Sequence, residues 1–165
     1  MSLAGIMETL DKQTVLYEQL LASAHEKTPM LVNNDIDGLN AITLRERKLL
    51  TESEQLEAIR IRHTHQYFLS LGYRSSFNRL SEVIQSVHQP EEKQRLIDKQ
   101  QELAGLLTRF KRANDLNQQL IAQSLAFIDY SIGLMVEDPA GEMTYQHPQN
   151  KLSGYARTGI FDTRA

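Results

Sequence analysis

The stretch IDGLNAITLRERKLLTESEQLEAIRIRH, residues 36–63, decides the fold. Its seam is Ile36, Leu39, Ile42 or Thr43, Glu46, Leu49 or Leu50, Ser53, Leu56, Ile59 or Arg60, and His63. Steps of three and four are the heptad-like spacing of a helix that lies nearly antiparallel to a neighbour. The pattern predicts a helix from about Ile36 to Ser70, closed by Leu71-Gly72-Tyr73. Upstream, Asn33-Asn34-Asp35 reads as a break followed by an N-cap.

Working outward, Met7, Leu10, Tyr17, Leu21 and Ala24 share one face of a first helix between Leu3 and Lys27. Thr28-Pro29 should kink or interrupt it, because proline lacks a donor and crowds the preceding turn, with Met30-Leu31-Val32 resuming for a turn. Beyond the second helix, Ser75 or Ser76 is placed to cap a short third one carrying Phe77, Leu80, Ile84 and Val87. Gln89-Pro90 stops it, and Glu91 and Glu92 suit the N-terminus of a long fourth helix reaching Val136. From 137 to 165 the chain is polar, without periodicity, and reads as a disordered tail. The expected fold is therefore all-α: an elongated antiparallel helical bundle of coiled-coil-like hairpins over residues 1–136, with a flexible C-terminal tail over 137–165.

Composition excludes several classes. A net charge of −3 argues against a dedicated nucleic-acid binder, and the basic clusters (Arg45, Arg47, Lys48; Arg60, Arg62; Arg109, Lys111, Arg112) read as solvated helix faces. Cysteine is absent, which excludes disulfides and thiol chemistry and suits a reducing cytosol. No run approaches the 18 consecutive apolar residues of a membrane span, and no secretion signal is read, so neither membrane insertion nor export of the chain is expected. His63 and His65 are two apart and point to different sides of a helix, and no Glu-x-x-His pair occurs, so no metal or other cofactor is expected. Nucleophile elbows and phosphate-cradling glycine loops are missing, and no catalytic residue is assigned.

The fourth helix carries the more telling pattern. No charged residue occurs from Leu116 through Ile128, while Asn114, Asn117, Gln118, Gln119 and Gln123 interrupt the apolar run. A polar residue on a seam commonly fixes helix register; the other reading is a surface that meets another helix. Leu116, Leu120, Phe127 and Leu134 form one apolar face, and Ile121, Leu125, Ile128, Ile132 and Met135 another beside it. Together they cover roughly 200°, where a surface helix needs a stripe a little over 100° wide. One face is expected to pack on the bundle and the surplus face to receive a partner helix, the alternative being a central helix buried all round. The partner-binding candidates are Leu116, Leu120, Ile121, Phe127, Ile128, Tyr130 and Leu134.

Two segments resemble the FlgN-type flagellar export chaperones. One is Asp37-Gly38-Leu39 leading into Leu44-Arg45-Glu46-Arg47-Lys48-Leu49-Leu50 and Leu56-Glu57-Ala58-Ile59-Arg60. The other is Asn114-Asp115-Leu116-Asn117-Gln118-Gln119-Leu120-Ile121, continuing through Ser124-Leu125-Ala126-Phe127-Ile128-Asp129-Tyr130-Ser131. The resemblance implies a cytoplasmic, non-enzymatic chaperone for the hook–filament junction proteins, the first and third hook-associated proteins. It further implies that the chaperone binds their C-terminal helical segments, prevents premature assembly and delivers them to the type III export gate. The rival readings are a self-associating helical scaffold, which leaves a homo-oligomer open, and a cofactor-binding four-helix enzyme, which lacks the ligand spacing.

Overall fold

The computed structural model describes residues 3–74 and 77–136. They form four helices: α1 (Leu3–Val32), α2 (Ile36–Ser70), α3 (Leu80–Ser86) and α4 (Pro90–Val136). No strand occurs among the described residues. The expected tail, 137–165, lies outside them. The chain divides into two compact units, Met1–Ala126 and Phe127–Ala165, and of the second the described part is the helical stretch Phe127–Val136.

In the first unit α1 and α2 pair antiparallel. Polar partners run in opposite order along the two helices: Gly5 with His63, Gln13 with Glu57, Tyr17 with Ser53, Lys27 with Glu46. These contacts explain the polar residues on the predicted α2 seam. Ser53 meets the Tyr17 hydroxyl at 3.2 Å, Glu46 pairs with Lys27, and His63 donates from Nδ1 to the Gly5 carbonyl at 2.9 Å. Helix α4 runs parallel to α1, since Asp11 pairs with Lys99 and Ala24 with Asn117.

Helix α1 thus serves two neighbours, and it buries two stripes. Leu16 and Leu20 pack with Leu56 of α2, while Leu21 and Ala24 pack with Leu106 and Ala113 of α4. Tyr17, half-buried, touches both groups. The apolar face read from sequence is the α4-facing stripe; the second was hidden because it is part polar, with Gln13 and Ser23 buried beside Ile6, Leu16 and Leu20. At the other end of the bundle Ile6, Leu10, Tyr67, Phe68, Val83, Ile84, Val87, Leu96 and Leu103 form the largest core cluster. Rings of Phe68 and Phe77 stack over it with centroids 4.3 Å apart.

Two expectations need correction. Helix α1 continues through Pro29. Proline here stands in the last turn, where its missing N–H deprives one carbonyl, and the end is closed by other donors. Asp35 N–H bonds the Met30 carbonyl at 2.9 Å and Asn34, at φ 54°, supplies the left-handed residue of a Schellman closure. Asp35 then caps α2 by accepting from the Gly38 N–H at 2.9 Å; a Cβ at Gly38 would stand 2.3 Å from that carboxylate. Gly72, at φ 86°, closes α2 by the same device. The second correction concerns α3, which starts at Leu80 behind Arg79. Glu82 fixes that start by accepting from the Asn78 and Arg79 N–H groups, at 3.1 and 2.9 Å.

Leu96 is 1% exposed within the main cluster, so Leu96→Ala should cost about 2–5 kcal/mol in urea denaturation through the lost burial and the cavity left behind. A second expectation concerns acid. Arg60 bonds both Glu57 oxygens at 2.8 and 2.6 Å and holds that carboxyl below its usual range; partial burial opposes the shift and Gln13 assists it. Because folding lowers this pKa, its contribution is complete above the unfolded value of about 4.3 and is lost as pH falls through the lower folded value. Denaturation across the acid range should show declining stability, and Glu57→Gln should make the decline shallower.

Candidate partner-binding surface

The inward stripe of α4 is a strict heptad: Leu96, Lys99, Leu103, Leu106, Phe110, Ala113, Asn117. Its polar members are tied to α1. Lys99 bonds Asp11 at 2.9 Å and Glu102 at 2.7 Å, and these bonds, Glu102 first, raise its pKa. Asn117 is 3% exposed; its amide donates to the Ala24 carbonyl at 2.8 Å and its oxygen accepts from the Thr28 hydroxyl at 2.7 Å. Both ends of the amide are satisfied, so the side chain fixes register at little desolvation cost.

Asn117 is also the last buried residue of α4 among those described. It lies level with Ala24, and α1 ends at Val32. At equal rise per residue α1 therefore runs out by about Leu125. Leu120 and Ser124 are half-buried; beyond them every residue through Val136 is exposed except the half-buried Ser131.

The seven candidate residues sit accordingly. Within the first unit, Leu116 of one apolar face is exposed and Leu120 half-buried, and Ile121 of the other is exposed. In the second unit Phe127 is 70%, Tyr130 65%, Leu134 56% and Ile128 49% exposed. Leu125, Ile132 and Met135 of the other face are exposed too, Met135 by 85%. Leu107 and Leu116 are exposed, whereas their neighbours Leu106 and Asn117 carry the inward stripe. The heptad step from Leu103 through Ala113 was the signal that would have found them.

One 18-residue window of α4 has the length and composition of a membrane span, with none of it buried. The window is not a run of consecutive apolar residues, since Gln, Ser and Asp are scattered through it. A helix built to dock on protein has the same composition. No group of three or more His, Cys, Asp or Glu side chains suited to a metal ion occurs among the described residues.

A family model described as FlgN protein matches residues 1–153. An uncharacterized protein of Bacillus subtilis (strain 168), YvyG, is similar at 30% identity over 165 residues, with 100% of each chain covered. No solved structure matches.

The exposed and inward positions should respond differently to substitution. Phe127→Glu should leave the stability of the free chain nearly unchanged, within about 0.5 kcal/mol. Asn117→Ala should cost about 1–3 kcal/mol, because it strips partners from a buried carbonyl and hydroxyl. Thermal melts followed by circular dichroism check both.

Proposed function

This chain belongs to the FlgN family of flagellar export chaperones, and from that premise we propose that it is a cytoplasmic chaperone for the hook–filament junction proteins. It binds the C-terminal helical segments of the first and third hook-associated proteins, keeps them from assembling early and delivers them to the type III export gate. The observation that carries this reading is the run of large apolar side chains left in solvent at the end of α4, from Leu125 to Val136. A contiguous exposed apolar surface of this size is uncommon on a free-standing protein and marks an interaction site. An already helical stretch suits helix-in-groove recognition, in which an amphipathic client helix lays its apolar face against the receptor.

Mixing the purified chain with either hook-associated protein should give a complex that co-elutes in size-exclusion chromatography. Removing the client's C-terminal helical segment should abolish it. A scaffold that associates with itself through the same residues would instead show a mass that rises with concentration in sedimentation, and no complex.

A further inference from the structure

Within the first unit α4 is fastened to α1 and not to α2. Its polar bonds run to Asp11, Ala24 and Thr28, and no hydrogen bond or ion pair joins α2 to α4 among the described residues. Between the two helices, with α1 as its floor, runs a groove. Helix α3 fills one end of it. There Val83, Ile84 and the following Val87 pack with Ile6 and Leu10 of α1, Phe68 of α2 and Leu96 of α4. But α3 has only seven residues, and its first, Leu80, borders an open cavity of about 270 Å³. Tyr17 of α1, Glu57 and Arg60 of α2, and Ala104 and Leu107 of α4 line that cavity.

Past the cavity both walls stay apolar and uncovered. On α4, Ile121 and Leu125 point within about 40° of Leu107, at 100° per residue. On α2, Leu50 stands one heptad before Glu57 and so shares its side of the helix. All four of these apolar side chains are exposed. Ser53 lies level with Tyr17 and Asn117 with Ala24, so Leu50 falls between the levels of Leu107 and Ile121 across the groove. From Leu107 to Leu125 the open track is about 27 Å long, the rise of roughly 18 helical residues.

We propose that this groove seats one amphipathic helix of the client, continuing the line of α3 between α2 and α4. The proposal rests on the chaperone reading and adds to it a docking site within the first unit. The fold itself shows what the groove accepts. Leu80, Ile84 and Val87 of the α3 segment step by four and three, and they present an apolar seam to the same three helices. Charge agrees with this occupant. Arg60 holds both Glu57 oxygens, so the cavity lining is neutral and suits an apolar seam. One polar group is left over. Arg60 is 8% exposed, and its Nη1 has no partner among the described residues. An uncharged oxygen on the occupant's end near Leu80 supplies the acceptor that this donor lacks.

The test is photo-crosslinking to the intact first hook-associated protein, with a benzophenone amino acid placed at Leu50, Leu107 or Val15 of the full chain. Val15 is exposed on the side of α1 away from the groove. Crosslinks to the client from positions 50 and 107, and none from 15, are expected. In calorimetric titration Leu50→Glu and Ala104→Arg should each weaken binding by about tenfold or more, and Val15→Glu should leave it unchanged. Both groove positions are exposed, and free-chain melts check folding, with Leu50→Ser as a milder replacement. Loss of affinity in Phe127→Glu, with none in the groove variants, confines the client to the end of α4; it overturns the groove and spares the chaperone reading. Crosslinks from position 50 to a second copy of this chain, or to its own residues 137–165, name another occupant and also overturn the proposal. Failure of the wild-type chain to bind at all removes the chaperone reading and this site with it.

Discussion

The bundle depends on α1 being buried from two sides at once. This helix of 30 residues has α2 along one flank and α4 along another, its charges other than Lys27 keep to the remaining face, and its buried positions mix aliphatic with polar side chains. Thr9, Gln13, Thr14 and Ser23 are all nearly inaccessible. Such residues add little to stability, since replacing buried polar partners by well-packed apolar ones is often neutral or better. What they add is register. Gln13 reaches Glu57, which is held by Arg60, which in turn donates to the Asn78 carbonyl at 2.9 Å ahead of α3. A slip of α1 against α2 by one turn would strand every group in that chain of bonds, whereas a purely aliphatic seam would tolerate it.

The same constraint governs α4. Its 47 residues exceed the 30 of the helix that covers it, and the cover thins before it ends. Leucines at 96, 103 and 106 give way to Ala113 and then to Asn117, against Leu21, Ala24 and Thr28 on α1. Small residues bring the backbones close, and the amide locks the last shared turn. An isolated helix of ten or twelve residues would be marginal in water, because the first turn is costly to form. Continuation of an existing helix avoids that nucleation step. A binding element already in its bound conformation also loses less entropy on association.

Three of the helix boundaries were legible because they depend on local chemistry, while the Pro29 break and the start of α3 were misplaced. Asp35, Gly72 and Pro90 act within four residues of themselves, and a sequence displays such neighbours directly. The α2 seam was legible for a related reason: one neighbour dominates it, so one period describes it. The two-sided burial of α1 was only half legible, since its second stripe is written in Thr, Gln and Ser and no apolar count detects it. Helix α4 was the hardest. Apolar residues on both of its faces state that something covers them without stating what, and sequence reading assigned one face to the bundle. Coverage depends on where α1 ends, a fact of register set by Asp11–Lys99 and Ala24–Asn117 that no local pattern in α4 contains.

The apolar window of α4 is open to two kinds of solvent, a bilayer or another protein, and the distribution of its polar groups separates them. A bilayer surrounds a spanning helix and makes the same demand on every side. Any 18-residue window of α4 with so few charges includes Asp129, far from both ends of the polar-to-apolar transition, and a carboxylate inside hydrocarbon costs about 2.5–3.5 kcal/mol. A protein partner makes no such demand: Asp129, exposed on the side of the helix opposite Ser131, keeps its water. The apolar surface is backed by an aspartate, and such one-sidedness suits a protein neighbour better than a bilayer.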